Sequence, residues 1–132
     1  MSETPAKRKS PVELAFIGDA VFELLVRERI TRRVDTTANR LHRMAVDYVC
    51  AGAQAEALET ILPALSEAEQ DIVRRGKNAS KVSVPRNGNP RSYRSSTALE
   101  ALFGYLYLSG ETERIRELFD QICAAHGEIL AE

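Results

Sequence analysis

The segment Phe16–Val26, with the sequence FIGDAVFELLV, is the most apolar stretch of the chain and decides how it folds. In a helix, the same-face neighbours of Asp19 are Val12, Ala15, Phe22 and Val26, and all four are apolar. A carboxylate on such a stripe loses water, and a buried charge without a partner is very costly. The pattern therefore predicts either a cation at Asp19 or a cleft in the helix packing there.

The residues before this segment form a strong helix start. Ser10 is a suitable N-cap, Pro11 takes the first helical position, and Glu13 completes a capping-box pattern. The helix is expected to run to about Arg32. Because apolar residues cover nearly its whole circumference, we expect a central helix.

The rest of the chain is also helical in pattern, and we predict an all-α fold. Gly52 and Gly110 mark helix breaks, and residues 78–94 have too little periodicity for anything but a long irregular loop. The further helices are expected at about 38–50, 54–62, 66–77, 95–109 and 112–130. Their inward positions are expected to be Leu41, Met44, Ala45, Val46, Val49, Leu99, Leu102, Phe103, Leu106 and Tyr107.

Composition excludes several classes of protein. With 132 residues, 44% hydrophobic and 28% charged, the chain reads as one soluble globular domain. No apolar run approaches the roughly 18 residues that span a membrane, and the basic N-terminus lacks the apolar region of a secretory signal. Cys50 and Cys123 are too few and too distant for a disulfide framework or a zinc site, and His42 and His126 are isolated.

Charge is distributed unevenly along the chain. The net charge is −1, yet Ile72–Leu99 contains no Asp or Glu, and the remaining residues carry a net charge of −8. The basic residues of this segment are Arg74, Arg75, Lys77, Lys81, Arg86, Arg91 and Arg94. Such asymmetry indicates a local polyanion-binding face. The alternative is a flexible, solvated basic loop.

Glu100 is the second acid in an apolar segment. A capping box with Thr97 explains its position equally well. However, Gly18 lies beside Asp19 and Gly104 lies one turn after Glu100. Glycine costs about 1 kcal/mol relative to alanine within a helix, and paired glycines let two helices approach inside the usual separation of about 8–10 Å. The two acids would then converge into an oxygen site suited to Mg²⁺.

Glu23, one turn after Asp19, has two interpretations. It is either a third acid or outer-shell partner of the metal, or a solvated glutamate that pairs with Arg27. A divalent ion beside an acid-free basic segment suggests phosphodiester chemistry. The metal would lower the pKa of a bound water, and the basic side chains would neutralise backbone phosphates.

Ordered blocks between Pro11 and Phe119 carry a family resemblance. They are LAFIGDAVFE at 14–23, LHR at 41–43, AQA at 53–55, RRGKNA at 74–79 and YRSSTALEALFGYL at 93–106. The first block resembles the signature helix of the ribonuclease III endonuclease domain. The chain as a whole is similar to Mini-ribonuclease III, the short bacterial branch of that family, which lacks a double-stranded-RNA-binding domain.

The resemblance implies a homodimeric, ribonuclease III-like helical bundle at 11–132, after a disordered basic N-terminus at 1–10. It implies Mg²⁺-dependent cleavage of double-stranded RNA, with Mn²⁺ as a substitute, in the cytoplasmic maturation of the 23S ribosomal RNA precursor. Asp19 and Glu100 would be the catalytic carboxylates and metal ligands, and each subunit would cut one strand. The basic residues named above would bind the RNA.

The chain departs from full-length ribonuclease III at two positions. Ala15 and Thr97 stand where the longer enzymes carry a glutamate and an aspartate. With two acids instead of four, RNA phosphate and water must supply more of the metal coordination. The number of metal ions for each site is therefore open.

Two other functions remain possible at this level. One is an RNA-binding or ribosome-assembly protein of the same fold without activity, and retention of both acids argues against it. The other is an all-α nucleotide pyrophosphohydrolase, which also places carboxylates around Mg²⁺. Such sites usually draw several acids from a set of E-x-x-E-type helices, and this chain does not show that set.

Overall fold

The computed structural model describes residue 6 and residues 9–79 and 88–126, and all regular secondary structure in these ranges is helical. The α-helices are α1 (Pro11–Arg33), α2 (Ala38–Val49), α3 (Ala51–Ile61), α4 (Glu67–Ala79), α5 (Pro90–Leu108) and α6 (Thr112–Ala125), and a 3₁₀ turn, Leu62–Ala64, follows α3. The predicted all-α fold is therefore confirmed. Among the described residues, no helix is long and apolar enough to cross a membrane. The expectation of disorder at 1–10 concerns mostly residues outside the described ranges and stays a prediction.

The start of α1 is the predicted capping box. The backbone N–H of Glu13 donates to Ser10 Oγ at 3.2 Å, and the backbone N–H of Ser10 donates to Glu13 Oε1 at 3.0 Å. Two donors that the first helical turn leaves without partners are thereby satisfied. This fixes where α1 begins, and with it the position of Asp19 two turns later.

Helices α1 and α5 touch backbone to backbone at two glycines. A β-carbon on Gly18 would overlap the carbonyl group of Glu100 and would lie 2.8 Å from the backbone nitrogen of Gly104. A β-carbon on Gly104 would lie 2.8 Å from the carbonyl carbon of Leu14 and 3.0 Å from the nitrogen of Gly18. Any larger residue would push the helices apart. The prediction that these glycines let the two helices close is confirmed.

The core extends from this contact toward the C-terminal half of α1. The ring of Phe22 meets those of Phe103 and Phe119 edge to face, at centroid distances of 5.4 and 5.8 Å. Apolar side chains of α2, α3 and α6 pack around these rings. An ion pair connects the first turns of α4 and α6. Arg114 of α6 donates to Glu69 of α4 at 2.9 Å, which lowers the pKa of the Glu69 carboxyl.

The structure corrects the predicted course of α5. The helix begins at Pro90, and Asn89 caps it by accepting the backbone N–H groups of Arg91 and Ser92 at 2.9 and 3.2 Å. Thr97 therefore lies inside the helix, where its hydroxyl donates to the carbonyl of Tyr93 at 3.1 Å. The capping-box explanation of Glu100 is wrong. The predicted loop is also shorter at both ends, because residues 78–79 finish α4 and 90–94 open α5; residues 80–87 lie outside the described ranges.

The composition of α1 predicted a central helix enclosed on every side, but one face of the helix is open. Phe16 is 79% exposed, Leu24 67% and Val12 63%, while the opposite face is buried against the other helices. Two other residues that were predicted to face inward are exposed. Val46 lies on the outer side of α2, whose buried residue is Ala45, and Tyr107 lies on the outer side of the last turn of α5. The break between α2 and α3 falls at Cys50 rather than Gly52. Gly110 ends α5 as predicted, with a positive φ of 75°.

The glycine contact predicts a large difference between two glycine-to-alanine substitutions. Gly18→Ala should destabilise the protein by about 3 kcal/mol, because the added methyl meets backbone that cannot move aside. Gly52→Ala is the matched control: its added methyl meets nothing within 4 Å, so it should stabilise α3 by up to about 1 kcal/mol. Chemical denaturation of both variants measures the difference. Equal stabilities would contradict the close contact.

Candidate active site

The contact between α1 and α5 brings two acids together. Asp19 follows Gly18 on α1, and the carbonyl of Glu100 on α5 is the group that Gly18 faces. The side chains of Asp19 and Glu100 then lie within hydrogen-bonding reach, and the charge of Asp19 acts on the Glu100 carboxyl. The structure therefore places side by side two residues that are 81 positions apart in the sequence.

The Glu100 carboxyl is strongly perturbed. Burial is the largest cause and the negative charge of Asp19 the second, and together they raise the pKa of Glu100 to about 7. A hydrogen bond from Gln54 works in the opposite direction, and the charge of Glu23 adds to the rise. A carboxyl whose pKa is raised by burial and by like charges is a frequent mark of a functional site, because a cation or a transferable proton relieves it.

Asp19 itself is exposed, so the expectation that it loses water is wrong. Of its same-face neighbours, Ala15, Phe22 and Val26 are buried but Val12 is not. Asp19 lines an open cleft of about 280 Å³, which is the second of the two outcomes that the sequence predicted. The other lining residues are Val12, Ala15, Phe16, Ala79, Tyr93, Thr97 and Glu100.

Glu23 takes part in two interactions. Its Oε2 accepts hydrogen bonds from Arg27 at 2.8 and 3.1 Å, which is the solvated pair that the sequence offered as one interpretation. Its charge nevertheless reaches Glu100 and contributes to the raised pKa of that carboxyl. Glu23 therefore lies at the edge of the acid pair while Arg27 offsets its charge.

Gln54 is the site residue that sequence reasoning missed. It is 2% exposed, and its Nε2 donates to Glu100 Oε2 at 3.3 Å, while the hydroxyl of Ser96 donates to its Oε1. A usable signal existed: position 54 shares the inward face of α3 with Ala57, Leu58 and Ile61. A glutamine on an otherwise apolar stripe requires a buried polar partner.

The predicted basic residues do not all lie in one place. Lys77, Arg91 and Arg94 line a second cleft of about 510 Å³ together with Glu56 and Glu59. Arg74 forms an ion pair with Asp71 in the preceding turn, and Arg75 donates to the carbonyl of Lys9 at 3.2 Å. Lys81 and Arg86 lie outside the described residues.

The acids fit a divalent cation that uses few protein ligands. In the described ranges, no cluster of three or more His, Cys, Asp or Glu is arranged to hold a metal ion. Asp19 and Glu100 supply carboxylate oxygens, the donors that Mg²⁺ prefers, in a cleft open to water. A cation between them would also remove the repulsion that raises the pKa of Glu100.

A helical fold with a carboxylate pair at an open cleft would suit metal-assisted hydrolysis, and comparison with known proteins identifies the family. The model of the ribonuclease III domain matches residues 12–111. The chain is 50% identical to Mini-ribonuclease 3 of Symbiobacterium thermophilum over 108 residues, which cover 82% of this chain and 83% of that protein. It is 47% identical to Mini-ribonuclease 3 of a Thermoanaerobacter species over 111 residues, covering 84% and 78%.

A solved structure supports the same assignment. The crystal structure of a Fusobacterium nucleatum protein superposes with a TM-score of 0.79 at 30% sequence identity, covering 88% of this chain and 93% of that one. The chain therefore belongs to the ribonuclease III family. The family resemblance drawn from its sequence blocks is confirmed.

The raised pKa of Glu100 predicts a pH dependence of stability in metal-free protein. Because the folded protein binds this proton up to about pH 7 and the unfolded chain only up to about 4.5, the free energy of unfolding should fall as pH rises through this window. Glu100→Gln should remove this slope, and Asp19→Asn should reduce it by removing one repelling charge.

The measurement is denaturant unfolding at a series of pH values with a chelator present. The difference between wild type and Glu100→Gln isolates Glu100 from other titrating groups. Parallel stability curves for the two proteins would contradict the raised pKa.

Proposed function

We propose that this protein is a Mg²⁺-dependent endoribonuclease that cleaves double-stranded RNA. The observation that carries the proposal is the pair Asp19 and Glu100, held together by the α1–α5 glycine contact at an open cleft of a ribonuclease III fold. The similarity to Mini-ribonuclease 3 proteins supports the RNA substrate. The maturation of a 23S ribosomal RNA precursor in the cytoplasm is the finer role that this similarity suggests.

The residues around the acid pair have different proposed roles in hydrolysis. Asp19 and Glu100 would hold Mg²⁺, or Mn²⁺ in its place, and Glu23 would serve as an outer-shell partner. When bound, the metal lowers the pKa of a water and offsets charge on the phosphoryl group. Gln54 favours the charged form of Glu100, since its hydrogen bond opposes the rise in pKa. The exposed Asp19 faces the cleft through which the phosphodiester would enter.

RNA binding is assigned to the basic segment. Lys77, Arg91 and Arg94 border one cleft, where they outnumber Glu56 and Glu59, and cationic side chains so grouped suit the closely spaced phosphates of an RNA duplex. A-form RNA is recognised mainly through its backbone and 2′-hydroxyls, because its major groove is too narrow for side chains. The remaining residues proposed for this role are Arg74, Arg75, Lys81 and Arg86.

The exposed face of α1 supports the proposed homodimer. Phe16 and Val12 are largely exposed and line the same cleft as Asp19. The two side chains lie one helical turn apart and form a contiguous exposed apolar patch, a feature typical of interaction surfaces. A second copy of the chain packed on Phe16 and Val12 would bury these two side chains and place two active sites in one particle, one for each RNA strand.

An inactive RNA-binding protein of the same fold is the remaining alternative. It would need the basic cleft but not the acid pair. The perturbed pKa of Glu100 favours catalysis over this alternative, since a partly buried carboxyl beside a like charge is costly in a protein that only binds RNA. The pyrophosphohydrolase alternative has no support from the family assignment.

Removal of either acid provides the direct test of function. With Mg²⁺, wild type should cut a long duplex RNA but not a single-stranded control, and a chelator should stop cleavage. Asp19→Asn and Glu100→Gln should each lower the rate about a thousandfold or more, while duplex binding persists in a gel-shift assay. Normal cleavage by both variants would refute the acid pair, and RNA binding without any cleavage by wild type would establish the alternative.

The homodimer is tested at Phe16. Phe16→Glu should dissociate the dimer, because a carboxylate in an apolar interface loses water without gaining a partner. Sedimentation velocity should give twice the chain mass for wild type and the mass of one chain for the variant. Val46→Glu, at an exposed apolar position on α2, is the matched control and should stay dimeric. A monomeric wild type would overturn the dimer.

A further inference from the structure

The inner side of Glu100 is contacted by a buried polar chain of two residues. Gln54 reaches from α3 to α5 and meets Ser96 and Glu100, which lie one helical turn apart. Among the described residues, the buried polar side chains are Gln54, Ser96 and Glu69. Glu69 forms the ion pair with Arg114, Gln54 donates to Glu100, and Ser96 is linked to Glu100 through Gln54.

The hydrogen bonds fix which way the Gln54 amide faces. The Ser96 hydroxyl donates to Oε1, so Nε2 is the group directed at Glu100 Oε2, at 3.3 Å. When Glu100 is charged, the reverse orientation would place an amide oxygen against a carboxylate oxygen, and neither can donate. In the observed orientation Gln54 supports a charged Glu100, and the Ser96 hydroxyl, which donates to Oε1, holds the amide in place.

Packing alone does not require glutamine at this position. Its neighbours on the inward face of α3 are Ala57, Leu58 and Ile61, all apolar. A buried amide costs free energy unless its hydrogen bonds are made, whereas an apolar side chain of similar size carries no such cost. The glutamine is thus explained by what it does to Glu100 rather than by the core.

We propose that Gln54 is a positioning residue for the cleavage reaction: it holds Oε2 of Glu100 so that the carboxylate faces Asp19, and Ser96 orients the Gln54 amide. This inference rests on the proposed function. It deepens that function by assigning to α3 a part in a site whose acids lie on α1 and α5. Groups that orient a metal-binding carboxylate typically contribute about 10–100-fold to metal affinity or activity.

The experiment compares Gln54→Met with wild type. Methionine keeps the length and removes both hydrogen-bonding groups, so the variant should still fold, with a modestly lower melting temperature because Ser96 and Glu100 each lose a partner. The kcat for a duplex RNA should fall about 10–100-fold with KM unchanged. Mn²⁺ binding to RNA-free protein, followed by electron paramagnetic resonance, should weaken about tenfold. Leu58→Met, a buried position on the same face, is the matched control and should leave both quantities unchanged.

Ser96→Ala completes the design, since it keeps Gln54 but frees its amide. Its kcat should fall by a smaller factor, about threefold to tenfold, and the substitution should have no further effect in the Gln54→Met background. This variant also keeps the test open should Gln54→Met fail to fold. Wild-type kcat and Mn²⁺ affinity in Gln54→Met, or in Ser96→Ala if only that variant folds, would overturn the proposal.

The result separates this inference from the proposed function. Asp19→Asn is assayed in parallel under the same conditions. Inactive Asp19→Asn with fully active Gln54→Met would overturn the role of Gln54 alone. Normal cleavage by Asp19→Asn, or no cleavage by wild type, would overturn the proposed function whatever Gln54→Met does.

Discussion

The backbone contact between Gly18 and Gly104 is the constraint on which the rest of the structure depends. It sets the separation of α1 and α5 below what any side chain permits. Because Asp19 follows one glycine and Glu100 lies one turn before the other, the same contact sets the spacing of the two acids. The aromatic core around Phe22 then fixes the two helices in this position. Fold stability and site geometry therefore both depend on the contact between α1 and α5.

The protein around the acid pair acts on the pKa of Glu100 in two opposite directions. Burial and the charge of Asp19 disfavour a charged Glu100, whereas the hydrogen bond from Gln54 favours it. Burial and the charge of Asp19 outweigh the hydrogen bond, and the pKa of Glu100 is raised to about 7. A carboxyl perturbed in this way responds strongly to an approaching cation. The cost of the pair in the metal-free protein is offset by the core that α1 and α5 build together.

The sequence predicted the features that depend on local chemistry. The capping box of Ser10, the break at Gly110 and the role of the two glycines follow from rules for single helices and helix pairs. The start of α5 at Pro90 was missed because the residues after it are polar and hide the helical period, and this error made Thr97 look like a cap. The exposure of Asp19 and the contact of Gln54 with Glu100 depend on how three helices pack. Periodicity along one helix cannot give that information, although the apolar face around Gln54 contained a hint.

The small number of acids has a consequence for how the site would work. With Glu23 paired to Arg27 and no third ligand grouped with the acids in the described ranges, Asp19 and Glu100 alone offer a cation few protein oxygens. A metal held this way completes its coordination with water and with the phosphate of the substrate. Metal and RNA should therefore bind more tightly together than separately, since each supplies what the other lacks. In such a site the basic cleft of Lys77, Arg91 and Arg94 would contribute to catalysis as well as to affinity, because placing the RNA backbone also supplies the missing ligands of the metal.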